Sequence, residues 1–192
     1  ARGSESRAQS YSIQSVPDER GLVGRLKVRF PRPGRVRAVC LENYLDSISV
    51  SELLRERYNG EPFPGYDSVT LEFPELETIC RNNRQDWKNA LQHMKGVYVV
   101  ADKASGKKYV GSAYGDAGIW SRWSCYARTG HGTSDELTEL IGDRGVEYAR
   151  KNFRISLLEH RPPRTDDQVI IDRESYWKEA LLTRTAFGYN KN

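Results

Sequence analysis

Two segments rich in strand-forming residues, separated by a tight-turn sequence, constrain the fold of this 192-residue chain more than any other feature. They are GVYVVAD, which begins at Gly96, and SGKKYVGSA, which ends at Ala113. β-branched and aromatic residues favour strands, and the intervening Ala104-Ser105-Gly106 is typical of a hairpin turn. The sequence therefore predicts an antiparallel hairpin early in the second half of the chain.

The residues after this hairpin predict helices and one further strand. A helix is expected over residues 117–128, and a second over DELTELIGDRG, with Thr133 and Glu136 as its capping box. Alternation in FRISLLEH predicts a third strand, and Thr165 with Gln168 would form the capping box of a last helix, DDQVIIDRESYWKEALL. The order β-β-α-α-β-α predicts an α+β module whose small antiparallel sheet is flanked by helices.

An additional N-terminal α+β segment is expected before this module. Ser49 and Glu52 form a capping-box pattern ahead of SELLRER, which predicts a short helix. Residues 69–73 predict a strand, Pro74 a helix start, and Asp86 the cap of a helix that stops at Gly96. We therefore expect three regions: a flexible arm over residues 1–20, an accessory and DNA-contacting region over 21–90, and the α+β module over 91–192.

Positive charge is concentrated near the N-terminus, although the net charge of the whole chain is only +4. Residues 24–39 alternate apolar and basic side chains around the turn sequence PRPG, which predicts an edge hairpin. The pattern has two interpretations, a solvated face that prevents edge-to-edge pairing or a surface that contacts phosphate. Its cations are Arg25, Lys27, Arg29, Arg32, Arg35 and Arg37.

Composition excludes several classes of protein. Aromatic residues make up 10% of the chain, too many for a disordered protein even at a mean hydropathy of −0.72. No apolar run reaches the ~18 residues of a membrane span, and the N-terminus has no apolar signal core, so we expect a cytoplasmic protein without a membrane partner. The three cysteines and three histidines are scattered, which argues against a disulfide scaffold or a zinc site.

Two charged residues occupy helix positions that folding alone does not favour. Glu174 lies on the apolar stripe of the last helix, where it either reaches water from the edge of the stripe, pairs with Arg173 or Lys178, or binds a hard cation such as Mg²⁺. Arg122 shares a helix face with Ile119 and Tyr126, where it either extends to solvent or binds a phosphate.

Six features follow one another in the second half of the chain: the tripeptides Gly96-Val97-Tyr98 and Tyr109-Val110-Gly111, then Arg122, Tyr126, Glu174 and Asn190. Their order and spacing resemble the GIY-YIG nuclease superfamily over residues 96–192. Valine replaces the family's isoleucine in both tripeptides, which is a small apolar change.

The resemblance implies a metal-dependent DNA endonuclease that uses Mg²⁺ or Mn²⁺ and leaves a 5′ phosphate and a 3′ hydroxyl. Glu174 would be the metal ligand, Arg122 would bind the scissile phosphate, and Tyr98 or Tyr109 would take the proton of the attacking water. Tyr126 would position the water or the base, and Asn190 would bond backbone or phosphate.

Further DNA contacts and the biological role are less constrained. Lys107 or Lys108 would touch DNA, and His131 either contacts DNA or has a turn or surface role. A small segment appended to the module favours a restriction or phage-defence enzyme with sequence or modification specificity, and a palindromic target would favour a homodimer. A structure-specific repair or recombination nuclease, or a DNA-binding module without catalysis, remains the alternative.

Overall fold

The computed structural model describes residues 21–31 and 40–191, and the chain divides into two compact units between Tyr58 and Asn59. This division precedes the boundary near residue 90 that we expect from the sequence. The physical reason is that residues 70–91 form a strand and two helices whose apolar side chains join the core of the second unit.

The first unit contains two short antiparallel strands, β1 (Leu26–Arg29) and β2 (Ser49–Leu53). The helix predicted for SELLRER is therefore wrong, because residues 49–53 pair with β1. Lys27 and Glu52 face each other across the pair, with Nζ 3.2 Å from Oε2. The return strand predicted after PRPG lies outside the described residues.

The second unit contains one antiparallel sheet of four strands in the order β3-β6-β4-β5. The predicted hairpin and third strand are confirmed as β4, β5 and β6, and β5 lies at an edge of the sheet. In chain order the elements are β3 (Thr70–Glu72), α1 (Phe73–Arg81), α2 (Gln85–Leu91), β4 (Lys95–Asp102), β5 (Lys108–Ala113), α3 (Gly118–Thr129), α4 (Asp135–Arg144), α5 (Val146–Asn152), β6 (Phe153–Arg161) and α6 (Asp167–Ala180). The predicted α+β class is confirmed.

Helices cover both faces of this sheet. On one face, Tyr98 and Val100 belong to a large apolar core that includes residues of α1, α3 and α4. On the other face, Val97, Val99 and Val110 pack with Ile170 of α6. Because successive strand residues point to opposite faces, β5 presents its side chains alternately to α3 and to α6.

Two glycines of the hairpin are required by close approach. A Cβ atom at Gly96 would lie 2.2 Å from the carbonyl oxygen of Glu159 on the neighbouring strand β6. A Cβ atom at Gly111 would lie 2.6 Å from the hydroxyl oxygen of Tyr98, the residue paired with it across the hairpin. Gly96 therefore leaves space for the backbone of β6, and Gly111 leaves space for the phenol ring of Tyr98.

The predicted helix starts are displaced from the observed ones. Thr133 does not cap α4 because its φ of 65° is left-handed, whereas Ser134 has the extended backbone of an N-cap. In α6 the cap is Asp166, whose Oδ1 accepts a hydrogen bond from the backbone N–H of Gln168 at 2.7 Å, and not Thr165.

Two further helix predictions need correction. Asp86 lies inside α2 and does not cap it, because its carboxylate binds the Arg84 guanidinium and the backbone N–H of Phe63. An additional helix, α5, lies between α4 and β6, where the sequence predicts none. Gly145 separates α4 from α5. None of the helices in the two described stretches is long and apolar enough to cross a membrane.

The contact at Gly96 generates a matched pair of stability predictions. Gly96→Ala should lower the free energy of unfolding by about 2 kcal/mol or more, because the β6 backbone cannot move aside. Gly142→Ala, with nothing within 4 Å on the exposed side of α4, should raise it by about 0.5–1 kcal/mol.

Urea unfolding followed by tryptophan fluorescence measures both changes. All four tryptophans (Trp87, Trp120, Trp123 and Trp177) lie in the second unit, so the signal reports on that unit. Equal effects of the two substitutions would contradict the close-approach explanation.

Candidate active site

Two adjoining depressions lie along the edge strand β5. The first, which we call the glutamate cleft, encloses about 450 Å³ and is lined by Tyr109, Thr133, Ser134, Asp135, Glu136, Glu174, Lys178, Asn190 and Lys191. The second, the arginine hollow, encloses about 290 Å³ and is lined by Ser112, Ala113, Tyr114, Ala117, Gly118, Ser121, Arg122 and Cys125. A hydrogen bond from the Ser112 hydroxyl to Glu174 Oε2 connects the two.

Glu174 is held in the cleft by contacts to both of its carboxylate oxygens. Its side chain is 17% exposed; Oε2 accepts the Ser112 hydrogen bond, and Oε1 lies 2.9 Å from Lys178 Nζ. Of the two ion-pair partners considered from the sequence, Lys178 is the observed one, whereas Arg173 binds Glu159 on β6. A carboxylate on the apolar stripe of α6 is thus accommodated by a hydroxyl and an ammonium group.

The three tyrosines predicted for the site have different environments. Tyr98 and Tyr126 are 1% and 0% exposed, and the Tyr98 hydroxyl donates a long hydrogen bond, 3.4 Å, to the Tyr126 hydroxyl oxygen. Burial raises the pKa of both phenols far above the ordinary value. Tyr109 is only half-buried and lines the glutamate cleft, where burial and then the negative charge of Glu174 raise its pKa.

Arg122 keeps its charge without a carboxylate partner among the described residues. Its Nη1 donates two long hydrogen bonds, each 3.3 Å, to the carbonyl oxygen of Gly132 and the hydroxyl of Thr133. The side chain is half-buried and lines the arginine hollow. A guanidinium group in this position is available to a phosphate, for which its planar donors are well suited.

Asn190 acts on the backbone of β5. Its side-chain oxygen accepts a hydrogen bond from the N–H of Val110, and its side-chain nitrogen donates to the carbonyl oxygen of Val110, both at 2.9 Å. Of the two partners expected from the sequence, backbone and phosphate, the backbone is the one observed. The amide replaces the missing neighbour of an edge strand at the middle of the YVG tripeptide.

Asp102 fastens the segment that carries Asn190. The carboxylate is buried and accepts hydrogen bonds from the hydroxyls of Tyr189 at 2.7 Å, Tyr148 at 2.9 Å and Ser105 at 2.6 Å, and from the backbone N–H of Ala104. Burial acts to raise the pKa of Asp102, but these donors outweigh it and the pKa is lowered.

The predicted DNA-contacting residues of the second unit are partly engaged within the protein. His131 Nδ1 accepts from the backbone N–H of Thr133 at 3.1 Å and lies 2.9 Å from the Thr138 hydroxyl, so this ring organises the turn before α4. Lys107 Nζ lies 5.7 Å from the centre of the Tyr189 ring, and Lys108 is half-buried at the start of β5. Their DNA contacts stay predictions.

In the first unit, Arg25 donates from Nε to the carbonyl oxygen of Leu54 at 2.8 Å, Lys27 pairs with Glu52, and Arg29 is exposed. The other three cations of the predicted basic hairpin, Arg32, Arg35 and Arg37, lie outside the described residues. Both interpretations of the basic face, solvation and phosphate contact, therefore stay open.

The carboxylate oxygens at the glutamate cleft fit a divalent cation whose coordination shell is completed by the substrate. Among residues 21–31 and 40–191 no group of three or more His, Cys, Asp or Glu side chains is placed to hold a metal ion. Glu174 offers one carboxylate, and Glu136 Oε1 lies buried at the same cleft without a hydrogen bond, 3.5 Å from Lys191 Nζ. Mg²⁺ is commonly bound by one or two carboxylates, with waters and substrate phosphate completing its shell.

Sequence reasoning missed Ser112 and assigned Glu136 only to a cap. Strand alternation offers a signal for Ser112, since residues 110 and 112 share the face that packs against α6, whereas Tyr109 lies on the other. No local signal identifies Glu136, because its position in the cleft depends on how α4 packs beside the C-terminal segment.

The hairpin and the cleft bring together the residues that carry the resemblance noted in the sequence. The GVY and YVG tripeptides lie side by side in the β4–β5 hairpin, and Glu174 from the last helix and Tyr109 from the second tripeptide face the same cleft.

Two solved structures are similar to part of the chain. One is the catalytic domain of the homing endonuclease I-TevI, at 25% identity and a TM-score of 0.38, covering 51% of this chain and 98% of that one. The other is a glutamate-to-alanine variant of the I-TevI catalytic domain, with the same identity and TM-score, covering 52% and 94%. No protein-family model and no curated protein matches the chain.

The Asp102 contacts generate a pH-dependent stability prediction. At neutral pH, Asp102→Asn should lower the free energy of unfolding by about 2 kcal/mol, because an amide cannot satisfy all four donors. A carboxyl with a lowered folded pKa stabilises above its unfolded pKa, about 3.9, and the contribution is lost as the pH falls through the folded value.

Wild type and Asp102→Asn should therefore converge in stability as the pH is lowered below about 4, measured by urea unfolding with tryptophan fluorescence. The exposed Asp143→Asn is the control, with an expected change below about 0.5 kcal/mol. A constant difference between wild type and Asp102→Asn at every pH would contradict the prediction.

Proposed function

We propose that this chain is a metal-dependent DNA endonuclease that hydrolyses phosphodiester bonds in the glutamate cleft and the adjoining arginine hollow. The observation that carries the proposal is the convergence of Glu174, Tyr109 and Arg122 at the edge strand β5, with Ser112 linking the two depressions. Phosphodiester hydrolysis needs a proton acceptor for water, neutralisation of charge on the phosphate and stabilisation of the leaving oxygen. Tyr109 would accept the proton and Arg122 would neutralise charge on the phosphate, whereas Glu174 would hold the cation that stabilises the leaving oxygen.

Glu174 is the proposed ligand for Mg²⁺ or Mn²⁺, with Glu136 as a second carboxylate at the same cleft. The bound metal would supply charge neutralisation at the scissile phosphate and the departing 3′ oxygen. Arg122 binds the phosphate from the hollow, where no described carboxylate competes for its guanidinium group. The products are a 5′ phosphate and a 3′ hydroxyl.

Tyr109 is the tyrosine that we propose as proton acceptor. It lines the cleft, whereas Tyr98 is buried against Tyr126 and fills the space that Gly111 leaves open. The positive charge of Arg122 lowers the pKa of Tyr109 and so opposes the effect of burial. Tyr98, Tyr126 and Asn190 then hold the hairpin and α3 in the geometry that the reaction requires.

For the biological role, we propose a cytoplasmic restriction or phage-defence enzyme with sequence or modification specificity. The separate first unit, with the exposed Arg29 on β1, is an additional surface through which a target can be selected. A palindromic target would require two active sites and therefore a homodimer.

The metal-ligand role of Glu174 is tested with supercoiled plasmid, modified and unmodified, in Mg²⁺ or EDTA. Glu174→Gln should lower the rate of Mg²⁺-dependent nicking at least about 100-fold, because the amide cannot hold the cation. Glu179→Gln, an exposed glutamate later on the same helix, is the matched control and should cleave at the wild-type rate. A Glu174→Gln protein with full activity would remove the proposed metal ligand.

The choice of tyrosine is tested by two equivalent deletions of a phenolic hydroxyl. Tyr109→Phe should lower the cleavage rate by about 10²–10⁴-fold, the usual contribution of a general base. Tyr98→Phe should retain much more activity, since its buried hydroxyl hydrogen-bonds to Tyr126 and does not line the cleft.

The pH profile separates a chemical role from a structural one. Because the pKa of Tyr109 is raised, the wild-type rate should climb with pH from about 6 to 9 as more phenolate forms. The residual rate of Tyr109→Phe should lack that rise. If Tyr98→Phe flattened the profile and Tyr109→Phe did not, the two assignments would be reversed.

A further inference from the structure

Glu174 already has a positively charged partner in the protein. Lys178 follows it by one turn of α6, and the Lys178 Nζ lies 2.9 Å from Glu174 Oε1. The two side chains are only 12% and 17% exposed, so the pair is screened less by solvent than a surface ion pair. The ammonium therefore occupies one of the two oxygens that a divalent cation would use.

The second carboxylate oxygen is also engaged. Ser112 donates its hydroxyl hydrogen to Glu174 Oε2, so neither oxygen is free in the protein alone. A divalent cation entering this site meets the repulsion of the Lys178 ammonium as well as the loss of these two contacts. Binding of the metal to the isolated protein is expected to be weak.

Lys178 has an alternative partner when a nucleic acid enters. It lines the glutamate cleft beside Tyr109 and Asn190, and its flexible four-carbon side chain carries a point charge that binds phosphate well. The cleft also holds the carboxylates of Asp135 and Glu136 and the ammonium of Lys191. A phosphate is the one component of the proposed reaction that can attract Lys178 away from Glu174.

We propose that Lys178 is a positioning residue that couples substrate binding to metal binding. In the free protein it pairs with Glu174; when DNA enters the cleft it turns to a phosphate, and the Glu174 carboxylate becomes available to the divalent cation. This inference rests on the proposed endonuclease function. By linkage, if phosphate binding raises the affinity for the metal by a given factor, metal binding raises the affinity for DNA by the same factor.

The first experiment measures metal binding without DNA and without catalysis. Mn²⁺ is titrated into the full chain, and free aqueous Mn²⁺ is quantified by electron paramagnetic resonance. Lys178→Met should bind Mn²⁺ roughly tenfold more tightly than wild type, within the usual range of coupling between two sites. Lys178→Arg keeps the positive charge and should bind as weakly as wild type.

Lys151→Met is the matched control, because it removes the same charge from an exposed residue of α5 that lines neither the glutamate cleft nor the arginine hollow. Its Mn²⁺ affinity should stay within about twofold of wild type, since an exposed, more distant charge is screened by salt. Glu174→Gln should abolish the gain when it is combined with Lys178→Met.

The second experiment measures DNA binding in EDTA as salt is raised. If Lys178 turns to a phosphate, Lys178→Met should reduce the slope of log affinity against log salt by about 0.9, the value for one phosphate contact. An unchanged slope would mean that Lys178 stays on Glu174 and would overturn the coupling.

The outcomes separate this inference from the proposed function. Unchanged Mn²⁺ affinity in Lys178→Met, or an equal gain in Lys151→Met, overturns the role of Lys178 even if the wild type nicks plasmid in a Glu174-dependent manner. A wild type that neither nicks any plasmid nor shows Glu174-dependent Mn²⁺ binding overturns the proposed function itself. Thermal melting of each variant verifies that it is folded.

Discussion

The double hydrogen bond between the Asn190 amide and the backbone of Val110 fixes the strand on which the candidate site is built. β5 is an edge strand, and without a neighbour its outer N–H and C=O groups would bind water or another chain. The amide of Asn190 satisfies one residue's donor and acceptor at once. The residues on either side of Val110, Tyr109 and Gly111, are thereby held at a defined position.

This constraint extends along the C-terminal segment. The backbone of Asn190 pairs with Thr183 and Thr185, and Tyr189 donates its backbone N–H to the carbonyl oxygen of Lys108. Tyr189 also donates its hydroxyl hydrogen to Asp102, which lies with Lys108 at the turn end of the hairpin. The C-terminal segment therefore holds β5 from outside, and the proposed catalytic side chains come from β5, α3 and α6.

The sequence predicted those parts of the fold that local patterns determine. The tripeptides and the turn between them identified the hairpin, and the apolar stripe around Glu174 identified α6. The helix starts were less predictable, since Thr133 and Ser134, or Thr165 and Asp166, are equally good caps by residue type. Which one caps depends on the backbone conformation that the preceding loop adopts.

Local patterns also fail to predict the conformation of the segment SELLRER. Its capping pattern favours a helix, but β1 supplies a strand partner for Ser49–Leu53, and pairing with β1 outweighs local propensity. The added helix α5 has a related cause: Gly145 at φ 75° interrupts a run that the sequence alone presents as one helix and a loop.

The site was predictable residue by residue only where a side chain conflicts with its local pattern. Glu174 on an apolar stripe is such a conflict, and so is Arg122 beside Ile119. Ser112 and Glu136 are polar residues in ordinary positions, and they become part of the cleft only through the packing of α6 and α4. Tyr98 and Tyr109 are alike in sequence, and burial alone distinguishes them.

The charged side chains of the glutamate cleft and the arginine hollow are arranged so that most carboxylates have a cationic partner. A nuclease that binds a polyanion must keep carboxylates for the metal without repelling the substrate. In the glutamate cleft, Lys178 partly neutralises Glu174, and Lys191 partly neutralises Glu136. Arg122 has no such partner and leaves the hollow positive. An approaching phosphate would thus meet a positive hollow beside a cleft in which two lysines oppose three carboxylates. In the proposed coupling, Glu174 becomes available to a cation only after the phosphate has attracted Lys178 away.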